Sequence, residues 1–314
     1  MNLTNRIGKI GLISIAAALS IGAAAFAPRI VSVPEKLRSR LKSFETSAGI
    51  YLADLDRYLI ASDDTTKNDD PWLFLMDAAG RVDPSPVEIS GLRRMTDIES
   101  ISQENGILYI HSSLGLNKNG ENRKERNLFV RATREGRKIF ATNAIELREP
   151  LLEAIRTSED QTLQKLRRRV DADLDVESSM VRDGILYVGL KNPQPRPGVA
   201  LILTLGKVAR LFTEARVSEV EVYAVIDFGA VTGDSDTLSD MDYREGAFFL
   251  TTTTEGRVGR FWRFDPRSGK LLLLKEYPRL NPEAVMGAGT GKSLILFDQG
   301  EDEALFSFEA NGRR

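Results

Sequence analysis

Thr96-Asp97-Ile98-Glu99-Ser100-Ile101 runs almost directly into Gly106-Ile107-Leu108-Tyr109-Ile110-His111. Two acids one residue apart enter a short apolar segment, a polar turn with glycine follows, and a second apolar segment returns. The pattern recurs as Asp175-Val176-Glu177-Ser178-Ser179-Met180 with Gly184-Ile185-Leu186-Tyr187-Val188-Gly189, and as Asp240-Met241-Asp242-Tyr243 with Gly246-Ala247-Phe248-Phe249-Leu250. It closes with Asn281-Pro282-Glu283-Ala284-Val285 and Ser293-Leu294-Ile295-Leu296-Phe297, and a weaker first copy starts at Ala48 and returns through Tyr58-Leu59-Ile60-Ala61. Self-similarity of this kind decides the architecture before any residue-level chemistry is considered.

Each unit carries further apolar segments. The first adds Trp72-Leu73-Phe74-Leu75-Met76 and the second Leu128-Phe129-Val130. The third adds Val199-Ala200-Leu201-Ile202-Leu203 and the fourth Arg260-Phe261-Trp262-Arg263-Phe264. Short strands between glycine-bearing turns at repeats of about 40 to 60 residues predict an all-β fold, a single β-propeller. Five four-stranded blades are expected, with room for a sixth in the long third unit. The last unit stops after three strands, so an N-terminal strand is expected to complete it and remove an open edge. Leu37-Arg38-Ser39-Arg40-Leu41-Lys42-Ser43-Phe44 is the segment that fits this role by comparison with Leu272-Leu273-Leu274-Lys275-Glu276-Tyr277. One interruption, about 149–169, reads as helical: Pro150 sits near a helix start, and Leu163, Leu166 and Val170 share one helical face.

With 314 residues and 42% hydrophobic content the chain can bury a large core. A net charge of −2 gives no basis for nucleic-acid binding. The absence of cysteine removes disulfides and thiolate metal sites, and a single histidine removes any multi-histidine centre. Arg6 and Lys9 precede an uncharged run over 10–27 that ends in small residues at Ala23-Ala24-Ala25. Residues 1–27 therefore read as a bacterial export signal, or, uncleaved, as an inner-membrane anchor. The remainder, 28–314, is expected to be the propeller, periplasmic or secreted, monomeric, and in contact with membrane only through that first segment.

In a propeller the first strand of each blade lines the channel, and residues two apart point the same way. Asp97 with Glu99, Asp175 with Glu177 and Asp240 with Asp242 are then expected to face one channel mouth, joined by Glu283. Gathered carboxylates repel, and a hard cation relieves the repulsion. Oxygen-only donors suit Ca²⁺ first, magnesium or manganese next. The alternative is that the acids bond to backbone amides and staple neighbouring blades.

Lys118, Lys191 and Arg257 each follow a second strand. If they share the rim with the acids, an anionic small molecule such as a phosphoester or carboxylate fits between metal and cations; otherwise they are solubilising loop charges. Glu99, Lys191 and His111 are the catalytic candidates, His111 as general acid or base against the alternative of a packed strand end. Met286-Gly287-Ala288-Gly289-Thr290-Gly291-Lys292-Ser293 resembles a phosphate loop but precedes a strand, so it reads as a hairpin turn. The acids from Asp234 to Glu245 echo a calcium loop but have Leu238 and Ser239 where the loop needs a ligand and a glycine.

Asp97-Ile98-Glu99-Ser100 with Leu108-Tyr109-Ile110-His111-Ser112-Ser113, Gly189-Leu190-Lys191-Asn192-Pro193 and Ser239-Asp240-Met241-Asp242 resemble the bacterial propeller family called domain of unknown function 3616. The resemblance extends more loosely to esterase-like phytase propellers. It implies the fold and not a reaction; the metal-dependent phosphoesterase is the expectation drawn from the acidic pairs with Lys118, Lys191 and Arg257. Lys191-Asn192 stands where that pattern has arginine followed by glycine. The rival expectation is a non-catalytic envelope binding or scaffold propeller.

Overall fold

The computed structural model describes residues 27–63, 65–289, 291–300 and 304–312; the export segment falls outside these except for Ala27. Strand β1 (Arg29–Ile30) and a single helical turn α1 (Glu35–Arg38) precede the first blade, β2 (Thr46–Leu52), β3 (Arg57–Ser62), β4 (Trp72–Met76) and β5 (Val87–Ser90). The second blade is β6 (Ile98–Glu104), β7 (Ile107–Ser112), β8 (Leu128–Glu135) and β9 (Lys138–Glu146). Helices α2 (Arg148–Thr157), α3 (Gln161–Leu166) and α4 (Val170–Asp173) separate it from the third blade, β10 (Asp175–Arg182), β11 (Ile185–Asn192) and β12 (Val199–Lys207). That blade ends, after α5 (Val208–Glu214), with β13 (Glu221–Asp227), and α6 (Gly229–Thr232) leads to the fourth. The fourth is β14 (Thr237–Arg244), β15 (Ala247–Thr253), β16 (Val258–Asp265) and β17 (Lys270–Pro278), and the fifth begins with β18 (Asn281–Gly287), β19 (Lys292–Asp298) and β20 (Ala304–Ala310). The chain is a five-bladed β-propeller.

Local chemistry explains the repeat. Asn105-Gly106, Asp183-Gly184 and Glu245-Gly246 all have positive φ at both residues, the type I′ geometry whose twist matches a two-residue hairpin. Each therefore turns an inner strand into the second strand of its blade. The middle strands are apolar on both faces because both are covered: Leu201, Ile202 and Leu203 are all wholly buried. An apolar cluster fills the wedge between each pair of neighbouring blades, first with second, second with third, third with fourth, fourth with fifth and fifth with first. The helical insertion adds Leu151, Ile155, Leu163 and Leu166 to the wedge between blades two and three.

The ring closes through the N-terminus, but not through the segment expected. β1 pairs antiparallel with β20, Arg29 against Phe306 and Ile30 against Leu305. The stretch 37–44 does not form a strand. Pro34 starts the helical turn α1, and Leu37, Leu41 and Phe44 then fall at helical spacing into the apolar wedge between blades five and one. A second irregularity lies at the outer rim, where β5 pairs parallel with β9 and joins blades one and two into an eight-stranded sheet. Among the described residues, no helix is long and apolar enough to cross a membrane.

Candidate functional site: an acidic channel mouth

Every inner strand shifts register near its start, β2 between Thr46 and Gly49 and β10 also between Asp175 and Val176, and β6, β10, β14 and β18 each pass over one residue. The residue passed over is Glu99 between Ile98 and Ser100, Glu177 between Val176 and Ser178, Ser239 between Leu238 and Asp240, and Glu283 between Pro282 and Ala284. A bulge takes one side chain out of the strand's alternation and re-aims it. Here the bulges of blades two, three and five re-aim glutamates that feel one another's charge: Glu99 that of Glu177, and Glu177 that of Glu283. Asp97 and Asp175 stand two residues before Glu99 and Glu177. Blade one contributes Asp63, immediately after β3. One carboxylate oxygen from each of Asp63, Asp97 and Glu99 lies within 4.8 Å of the others.

Burial raises every one of these carboxyls above its ordinary range, Asp63, Glu99 and Glu177 well above it, and mutual repulsion adds to the effect. Glu283 is lifted to about 7, chiefly by burial, against the pull of Lys191. Two cations answer this charge. Lys191, from the end of β11 and one-third exposed, sits 3.1 Å from Glu177 and is held protonated by Glu177, Glu283, Asp175 and Glu99 against the cost of its burial. Arg126 pairs with Asp97. That leaves Asp63 and Glu99 with no ion-pair partner among the described residues, and Asp63 Oδ1 is buried without any hydrogen-bond donor.

The backbone around the mouth is held from both sides. Asp97 adopts a left-handed φ of +57°, a conformation aspartate tolerates better than most residues. Its N–H donates to the Asp63 carbonyl at 2.8 Å, and its own carbonyl accepts from Ser113 N–H at 2.9 Å. Arg148, buried at the start of α2, donates to the carbonyls of Leu114 and of Asp171. It thereby ties the insertion to the loop after β7 and to the segment that leads into Asp175.

The structure thus gathers Asp97, Glu99, Asp175, Glu177, Glu283 and Lys191, and adds Asp63 and Arg126, which the sequence reading passed over. Asp240 and Asp242 do not join them. In blade four the bulge falls on Ser239, so Asp240 occupies the position of Ser100 and Ser178, one step deeper along the strand. Asp240 accepts from Val285 N–H at 2.8 Å and from its own neighbour Met241 N–H at 2.7 Å, which bolts blade four to blade five. Asp242 pairs with Arg244 at 2.5 Å, farther along. Blade four turns Thr237 and Ser239 toward the start of the channel instead of acids.

His111 is wholly buried among apolar groups, edge-on to Phe129, and neither ring nitrogen has a partner. Burial drops its pKa to about 3, so it stays neutral and cannot meet a substrate. Lys118 and Arg257 are exposed on loops between second and third strands, the ends that share a face with the acidic mouth, but no ion pair joins either to the carboxylates among the described residues. The neighbouring Arg260 is committed elsewhere: it bonds Asp234, Asp236 at 2.5 Å and Glu276 at 2.8 Å. The same contacts occupy Asp234 and Asp236, the acids that echo a calcium loop.

No family model and no curated protein matches the chain. Among solved structures the chain is similar to glutaminyl cyclase of Myxococcus xanthus, with 7% identity, a TM-score of 0.46, and 90% of this chain and 95% of that one covered. It is also similar to a glucose dehydrogenase, at 8% identity and a TM-score of 0.46 over 91% and 100% of the two chains. A chain of a nidogen–laminin complex gives 8% and 0.42 over 85% and 86%. Likeness at this level concerns the course of the backbone alone.

Proposed function

We propose that this propeller binds a divalent cation, calcium by the chemistry of its donors, at the acidic mouth. An anionic small molecule would bridge that cation and Lys191. The observation that carries the reading is the unequal compensation of the carboxylates. Lys191 answers chiefly the group on blades three and five and Arg126 answers Asp97, while Asp63 and Glu99 lie beside Asp97 with no ion pair of their own among the described residues. Carboxylates at this spacing can supply three or more of the six to eight oxygens that calcium takes, leaving positions for water or a ligand oxygen. The phosphoesterase form of the proposal draws support from Lys191, a cation beside the acids that can hold a phosphate oxygen. It also draws on Glu283, whose raised carboxyl suits proton transfer near neutral pH.

The test is thermal melting of the chain from Pro28 onward with calcium and with chelator. At a hundredfold excess over Kd, binding stabilises the fold by about 2.7 kcal/mol. Asp63→Asn and Glu99→Gln are expected to abolish that gain. Identical melting in calcium and chelator would sink the cation reading and favour the second one, a scaffold propeller with structural carboxylates. Asp240 already serves in that structural way.

A further inference from the structure

The opposite end of the channel is a separate cavity of about 630 Å³, walled by the last residues of all five inner strands. Its chemistry differs from that of the acidic mouth. Its charged lining residues are Glu104, Arg182, Asp240, Asp242 and Arg244, three acids against two bases. They are already engaged: Arg244 with Asp242, Asp240 with the Met241 and Val285 amides at 2.7 and 2.8 Å, Arg182 with Asp183 at 3.3 Å and over the Tyr243 ring at 4.0 Å, and Glu104 with the Gly184 amide at 3.2 Å. Arg244 is further fixed by the Lys292 carbonyl at 2.9 Å. A charged ligand would find no free counter-charge here.

Two other features do favour a ligand. Met180, Met241 and Met286, from three successive blades, line the cavity, and thioethers adapt to ring edges and make favourable sulfur–aromatic contacts. Ser179, only 2% exposed, also lines it, and its Oγ has no hydrogen-bond partner although its backbone carbonyl accepts from Ser100. A buried hydroxyl without a partner is costly, and a ligand hydroxyl or amide would complete it. The volume falls within the range of about 300 to 1,000 Å³ that small-molecule pockets occupy.

We infer that this cavity binds an uncharged aromatic molecule bearing a hydroxyl or amide, the ring on the methionines and the polar group on Ser179 Oγ. The inference does not rest on the cation reading, because the two mouths share none of these residues.

The test is ligand-observed NMR on the chain from Pro28 onward, with benzamide and benzyl alcohol against their charged counterparts benzoate and benzylammonium. Saturation transfer to the neutral pair and not to the charged pair is expected. Ser179→Val removes an unpaired hydroxyl and so should fold; it should weaken benzamide binding about fivefold, the value of one net hydrogen bond. No transfer to the neutral pair, equal transfer to the charged pair, or unchanged affinity in Ser179→Val would each overturn the inference. The comparison of neutral with charged probes needs no variant, so it decides the matter even if Ser179→Val misfolds.

Discussion

His111 shows how burial converts a reactive side chain into a structural one. With its pKa lowered to about 3, it binds its proton more weakly in the fold than in the unfolded chain, whose value is near 6.5. Its contribution to stability is therefore complete above about pH 6.5 and is lost as pH falls toward 3. Between pH 7 and 5 the loss amounts to about 2 kcal/mol. In His111→Leu that component should vanish, read as a smaller acid shift of the urea midpoint than in the parent. Asp240 makes the complementary case. Asp240→Ala strands the N–H groups of Val285 and Met241 in a buried place, and should lower stability by about 2 to 4 kcal/mol while leaving the calcium response intact. Glu99→Gln should do the reverse: it replaces a buried carboxyl that has no ion pair among the described residues, so the melt in chelator stays equal or rises and the response to calcium disappears.

At the level of elements, the repeat was legible because the inner hairpins of blades two to five carry turn glycines and two apolar runs in the open, while the first, which turns through Ala53-Asp54-Leu55-Asp56, carries the apolar runs alone. The site was legible only in part. Matching acid to acid set Asp240-Met241-Asp242 against Asp97-Ile98-Glu99, whereas matching the wholly buried Ile98, Val176 and Leu238 would have placed Ser239 at the bulge and Asp240 beyond it. A bulge inserts one residue, and one residue is enough to send a side chain to different neighbours. Asp63 was invisible to a search of first strands because it follows a second strand, and Arg126 because only the fold brings the loop before β8 to Asp97. Ring closure was foreseen in kind but given to the wrong segment, since Pro34 and the spacing of Leu37, Leu41 and Phe44 favour a helical turn. The true closing strand yields a direct test. A chain starting at Val33 lacks β1 and the buried Val31, leaving the β20 edge and Phe306 uncovered. Compared with the chain from Pro28, it should melt lower and lose amide protection first across β20, measured by hydrogen exchange.

For the molecule as a whole, the acidic mouth couples ion binding to protons. Carboxyls whose folded pKa is raised favour the fold at acid pH, and that contribution is lost as pH rises from the ordinary glutamate range toward the value of about 7 at Glu283. The cation-free protein should therefore weaken across this window, and calcium should restore it while expelling protons. Calorimetric titration in two buffers of different ionisation enthalpy should show more protons released per calcium at pH 6 than at pH 8. Equal release at both would argue that the cluster is already ionised without a cation. A different kind of consequence follows from the two residues of β1. Arg29 and Ile30 are synthesised before every blade, yet the strand they fasten to, β20, is synthesised after the other four blades. Four blades can take shape in order as they emerge, but the ring has no latch until the final strand exists. The first part of the fold to be made is thus the last to be secured, and a synthesis halted short of Ala304 would release an unclosed propeller to the cell's proteases.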